Sequence, residues 1–314
     1  MATKTLRTRL GESQSQWPWV TAALIAHTAW GIYPVLARYL QTVSQLPSFS
    51  LLVLGNLGPL LFLVLFFRHH LSWRIFQSRV LWAFALIVVV RSMTNMLAAR
   101  YTLSIYVQLI TQTTPFLVVL LSATLFRERI PRFTGWALAL CTAGALLMMS
   151  GDMGQISQSS ATRTDWLGIL LAFGSSLSLA FYMLVVRRTN GEQGVSSEGV
   201  LVVQMIAIAS VNLLVSLLIG EDWSRWLAIG PTDWLVFGLL VTGVFLVANL
   251  TQIVALRHLG APTVSSTMAW RLVSALIFGG LLLGERLTSL WQGLGAAMVL
   301  ATITWYLRAM NNEQ

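Results

Sequence analysis

The chain has 314 residues, of which 56% are apolar and only 10% charged, and its mean hydropathy is +0.73; soluble domains carry roughly a quarter charged residues, so water is not its main solvent. The formal net charge of +9 is spread as single basic residues between apolar runs, without the stripe or arm that tracks nucleic acid. One cysteine, Cys141, excludes an intrachain disulfide and a cysteine metal cluster.

Lys4, Arg7 and Arg9 precede an apolar stretch that superficially resembles a signal peptide. It runs past 20 residues without a convincing cleavage site, and is read as a retained helix. A bilayer core about 30 Å thick takes roughly 20 mostly apolar helical residues, because lipid cannot satisfy open backbone groups. That ruler predicts spans at 17–39, 46–67, 79–99, 102–126 and 133–151, then at 165–187, 198–220, 233–256, 261–283 and 288–307. The predicted class is an all-α membrane protein of ten transmembrane helices. Residues 1–16 form a cytoplasmic tail, 17–151 a first five-helix unit, 152–164 a periplasmic or extracellular linker, 165–307 a second unit and 308–314 a cytoplasmic tail.

Cytoplasmic loops retain Arg and Lys. With both ends inside, thirteen basic residues are cytoplasmic, five (Arg38, Arg100, Arg163, Arg225, Arg286) are outside, and Arg91 and Arg271 lie within spans. That asymmetry predicts a multi-pass protein of the plasma (inner) membrane with both termini cytoplasmic.

The chain also repeats itself. A shift of 157 residues sets Thr94 on Thr251, Ala98 on Ala255, Arg100 on Arg257 and Val107 on Val264, and without a gap Glu128 on Glu285 and Arg129 on Arg286. An odd number of helices per copy inverts the second, giving two inverted five-helix repeats. Such halves rock against one another around a midplane site in carriers.

Chemistry is sought in polar residues at membrane depth. Arg91 and Arg271 stand near midspan, where a charge costs at least about 2.5 kcal/mol on insertion scales. Arg91 shares a helix face with Asn95, and Arg271 with Thr267, Trp270 and Ser274. His27 and Trp30 on the first helix, with Tyr33 beside them, Gln108 and Gln112 on the fourth, and Asn249 and Gln252 on the eighth complete a predicted substrate-binding set. Folded inward, these faces make a cavity suited to a small anion or to the carboxylate of an amphipathic metabolite. A histidine can carry a proton, although a lone one beside aromatics more often packs. All eleven carboxylates lie at helix ends, loops or termini, which disfavours proton-coupled export of organic cations. Glu128 and Glu285, each beside an arginine at a helix end, read as structural.

Small residues at every fourth position, Gly135–Ala139–Ala143 and Gly293–Ala297, predict close helix packing within the chain or in a dimer. Pro34, Pro59 and Pro115 are candidate hinges. No HExxH, Walker loop or GxSxG is present, so no enzyme is expected, and neither catalytic residues nor a cofactor or metal.

The motifs Trp30-Gly31 followed by Arg38, AARYTLSIYVQLITQTTP at 98–115, RERI at 127–130, LRHLGAPTVSS at 256–266 and LLLGERLTSLWQGLGA at 281–296 resemble the drug/metabolite transporter superfamily, in particular its EamA-type ten-helix transporters. Leu272 departs from that pattern, standing where a proline equivalent to Pro115 is common. The resemblance implies a secondary carrier, and the cationic lining narrows its cargo to a small anionic or zwitterionic metabolite, amino-acid-like, an organic acid or a phosphorylated compound. Exporter or exchanger are the expected modes; a channel, a scramblase-type protein or a multidrug exporter are the alternatives. The resemblance further implies that Arg271 matches the membrane-embedded basic residues that phosphate-exchanging relatives use in their ninth helix. The expected partners are the bilayer and the substrate, with no nucleic acid, the chain acting as a monomer or weak homodimer.

Overall fold

The computed structural model describes residues 17–67, 79–127, 133–153, 162–189, 197–266, 268–285 and 289–312, and among them every regular element is helical. In chain order these are α1 (Trp17–Thr42), α2 (Ser48–Phe67), α3 (Arg79–Tyr101), α4 (Ser104–Thr111), α5 (Thr114–Phe126), α6 (Thr134–Met153), α7 (Thr162–Thr189) and α8 (Ser197–Leu218). A short α9 (Arg225–Ala228) leads into α10 (Pro231–Leu239), a π-helical stretch (Leu240–Ala248) and α11 (Asn249–Ser266), followed by α12 (Trp270–Leu282) and α13 (Leu290–Asn312). Seven helical stretches among the described residues are long and apolar enough to cross a bilayer.

Three predicted spans are drawn differently. The span expected at 102–126 is broken into α4 and α5, because Pro115, at the second position of α5, brings no N–H to continue the hydrogen-bond ladder of α4. In the second half, the turn expected at 257–260 is helical. α11 continues to Ser266, held against α1 where Ala23 packs with Ala255, Leu256 and Val264. The break comes instead at Met268–Ala269, leaving α12 only 13 residues long. It forms without a proline, which answers the departure at Leu272. Pro34 and Pro59, by contrast, sit inside uninterrupted helices.

Helix pairing carries the repeat into three dimensions. The 157-residue shift places α5 on α12 and α3 on the π–α11 stretch. α1 packs on α12 and on the π–α11 stretch, while α7, the first helix of the second half, packs on α5 and α3. α2 packs on α8 and α6 on α13, each with its own counterpart. These pairings are repeated with the halves exchanged, as a two-fold axis requires.

Of the two packings expected of the small-residue stripes, the one within the chain is not made by them. A Cβ on Gly135 or Gly293 would meet nothing within 4 Å, and Ala139, Ala143 and Ala297 are exposed. The close approach of α6 to α13 is made by Gly144, whose added Cβ would lie 2.8 Å from Val299 and 3.0 Å from the Gly295 carbonyl.

At one end of the bundle the halves are tied by polar contacts. Arg38 of α1 pairs with Glu285 beyond α12 at 3.2 Å and donates to the Thr102 carbonyl. Glu285 also accepts from Ser104 Oγ at 2.5 Å. Glu221 caps the start of α2 through the Phe49 and Ser50 amides, and Ser44 donates to Asp233. Glu285 is therefore a structural carboxylate whose partner is Arg38; Glu128 and Arg286 lie outside the described residues.

Candidate functional site

α1 crosses the middle of the molecule and is buried on most of its length, so its side chains at helical spacing look into the interior. Gly31 makes this possible: an added Cβ would lie 2.6 Å from both the Arg271 carbonyl and Ser274 Cβ, so only glycine lets α12 approach this closely. The approach places the start of a broken helix, with its unpaired backbone groups, against α1 at depth.

Those groups are satisfied by side chains, as buried helix ends must be. His27 Nε2 lies 3.0 Å from the Val264 carbonyl near the end of α11, and Gln112 Nε2 donates to Met268 O at 3.1 Å. Gln108 Nε2 donates to Trp30 O at 2.6 Å. The other half repeats the device at the α4–α5 break, where Ser176 of α7 donates to Ile110 O at 3.3 Å.

Two charged groups meet at Trp30. The Arg91 guanidinium lies 4.7 Å from the centre of its ring and 5.6 Å from that of Tyr182, and the Arg271 guanidinium lies 5.8 Å from the Trp30 ring. Arg271 Nε donates to His27 Nδ1 at 2.8 Å, and its Nη2 has no hydrogen-bond partner. Arg91 is 6% exposed and Arg271 2%. Among the described residues neither arginine has an ion pair. A desolvated cation–π contact returns about 2 kcal/mol, whereas burying an ion costs several kcal/mol even after relaxation. Aromatic rings alone therefore leave both charges under-compensated.

Beside this pair lies a central cavity of about 30 Å³, room for one or two waters. Of the predicted residues, Trp30, Tyr33, Arg91, Asn95 and Asn249 line it. Arg271, His27, Gln108 and Gln112 do not line it and are bonded as described. Gln252 is buried with an unpartnered Nε2 and does not line the cavity. Trp270 is placed apart: it is 44% exposed, donates to Thr28 Oγ1 at 2.8 Å and lines a shallow outward groove with Leu24 and Val247. Thr267 lies outside the described residues.

The cavity also has walls the sequence reasoning missed, namely Asn56 of α2, Ser92 of α3, Gln204 of α8 and Phe245 of the π stretch, together with Tyr182 against Arg91. Asn56 and Gln204 were findable, as single amides inside long apolar runs. Phe245 was not, because it owes its place to the π-helical turn. The wider turn carries Phe245 across Gly55, where an added Cβ would lie 2.3 Å from the ring, and Asn249 Nδ2 donates back to Phe245 O at 3.0 Å. No group of three or more His, Cys, Asp or Glu side chains among the described residues could hold a metal ion.

The sequence profile of the EamA-like transporter family matches residues 17–150 and again 166–308. A solved crystal structure of a protein shares the fold with a TM-score of 0.57 at 20% identity, over 94% of this chain and 99% of that one. No curated protein matches.

Proposed function

The chain belongs to the EamA-like transporter family, and from that premise we propose that it is a secondary carrier moving a small anionic or zwitterionic metabolite by alternating access, as an exporter or exchanger. The observation that carries the reading is the pair of guanidinium groups, Arg91 and Arg271, buried over one indole with no carboxylate beside them among the described residues. Ionisable residues kept at membrane depth mark substrate or ion pathways, and two cationic ones without a carboxylate favour an anion.

Three further features support the same reading. The central cavity is too small for a metabolite as it stands, and the halves are tied at one end of the bundle by Arg38 and Glu285, so cargo enters only when the halves move. The exchange symmetry of helix contacts supports ten crossings in two inverted five-helix repeats, 17–151 and 165–307. The basic-residue census supports a plasma (inner) membrane location with both termini cytoplasmic.

The test is counterflow in proteoliposomes with a panel of anionic and zwitterionic metabolites. Saturable uptake accelerated by preloaded cargo is expected. Large non-saturating currents would instead make it a channel.

A further inference from the structure

His27 occupies an unusual position for a buried imidazole. Its Nε2 faces a carbonyl, Val264 O, at 3.0 Å, and its Nδ1 faces a donor, Arg271 Nε, at 2.8 Å. Only one tautomer fits both: the proton sits on Nε2, and the Nδ1 lone pair accepts from the guanidinium. His27 is thus neutral in this arrangement, and its lone pair is the only hydrogen-bond acceptor for the Arg271 side chain among the described residues, while Arg271 Nη2 has none.

We propose that His27 couples transport to protons: one proton bound at its Nδ1 travels with each anion held by Arg271. The inference rests on the anion-carrier reading above and adds the coupling ion. An anion reaching Arg271 competes with His27 for the guanidinium donors. Once Nδ1 is released, its lone pair is open to a proton from whichever aqueous side the moving halves open to Arg271. The protonated ring still donates from Nε2 to Val264 O, and its new Nδ1–H donates to the anion beside Arg271. Without the anion the same proton would set two donors and two positive charges face to face across 2.8 Å, so proton and anion arrive together. On the opposite side the anion leaves for water, the proton follows it, and Nδ1 accepts from Arg271 again.

The described surroundings contain no competing proton site. α12 presents Arg271 to the imidazole and α3 presents Arg91 across Trp30. α4 presents the neutral amides of Gln108 and Gln112, with Tyr106 buried further along, and α1 itself adds Tyr33. From α11 the Val264 carbonyl faces the ring, and His258 stacks on Trp19, two turns away along α1. The π stretch contributes Phe245, and Asp233 of α10 is engaged by Ser44 at the tied end. Among the described residues no carboxylate faces His27.

The experiment measures binding of benzoate and of sulfate, whose charges stay constant from about pH 6 to 9, to the purified full-length protein. One coupled proton per anion makes the affinity fall about tenfold per pH unit above the imidazole transition, and His27→Gln, whose amide can replace both hydrogen bonds, binds more weakly and without that slope. Nitrogen-15 histidine spectra, assigned by the peak missing from His27→Gln without ligand, should show Nδ1 of the wild-type residue becoming protonated when the anion is added. A flat wild-type profile, an unchanged His27 spectrum on binding, or a slope that persists in His27→Gln overturns the proposal. Failure of both anions to bind the wild type removes the anion reading and the coupling with it, an outcome distinct from binding without protons.

Discussion

The Arg91 guanidinium rests 4.7 Å from the centre of the Trp30 ring, and Arg271 shares that ring from 5.8 Å. One indole therefore joins a charge from each half of the molecule. Trp30→Leu removes the face that both arginines use, and should lower thermal stability by about 3 kcal/mol through lost packing and lost cation–π contact together. Trp30→Phe keeps an aromatic face and should fall between. Chemical or thermal unfolding in detergent checks the order wild type, Phe, Leu.

Gly31 sets how near α12 comes. Gly31→Val places atoms where the Arg271 carbonyl and Ser274 stand, and should cost about 1 to 3 kcal/mol as an overpacking substitution. Gly293→Ala, in open space, should change little. Melting temperatures of the two variants measured side by side decide the matter, and equal values would refute the tight α1–α12 contact.

Much of this was legible in the sequence. Hydropathy located long apolar helices, seven of which among the described residues can cross a bilayer, and the 157-residue shift found the repeat, because lipid imposes a length and an apolarity that a single sequence records. Of the residues singled out by polarity, aromaticity and helical spacing, Arg91, Asn95, Trp30, Tyr33 and Asn249 line one cavity. Trp270 lies off that site because consecutive helix residues stand about 100° apart, so the turn of α12 that buries Arg271 leaves the indole facing outward to Thr28. Breaks and widened turns shift the angular register of everything after them. For the same reason Phe245 and the true end of α11 could not be read from periodicity.

Gly55 and Phe245 form a size-matched pair between α2 and the π stretch. Gly55→Ala should push the ring from its place and destabilise the fold by about 1 to 3 kcal/mol, and adding Phe245→Leu should recover part of that loss. A double-mutant cycle of unfolding free energies measures the coupling, and strict additivity would show that the two do not touch.

The Arg38–Glu285 pair ties the halves together at one end of the bundle, with Glu285 nearly buried and Arg38 partly exposed, at 5% and 23%. Glu285→Gln weakens that tie and should raise the reactivity of a cysteine placed at Ser92, in a Cys141→Ser background, toward a membrane-impermeant thiol reagent added on that side. Unchanged labelling rates would mean that the pair does not govern access.

The claim on which transport depends is that the two guanidinium groups hold the anion. It is met most directly by equilibrium binding of the anion selected by the counterflow panel to folded wild type, Arg91→Gln and Arg271→Gln, beside a neutral analogue of the same shape. Losing a hydrogen bond to a charged group costs about 1.5 to 3 kcal/mol, so the account predicts an anion affinity reduced roughly ten- to hundredfold in at least one variant with the neutral analogue little changed. Wild-type affinity for the anion in both folded variants would contradict it.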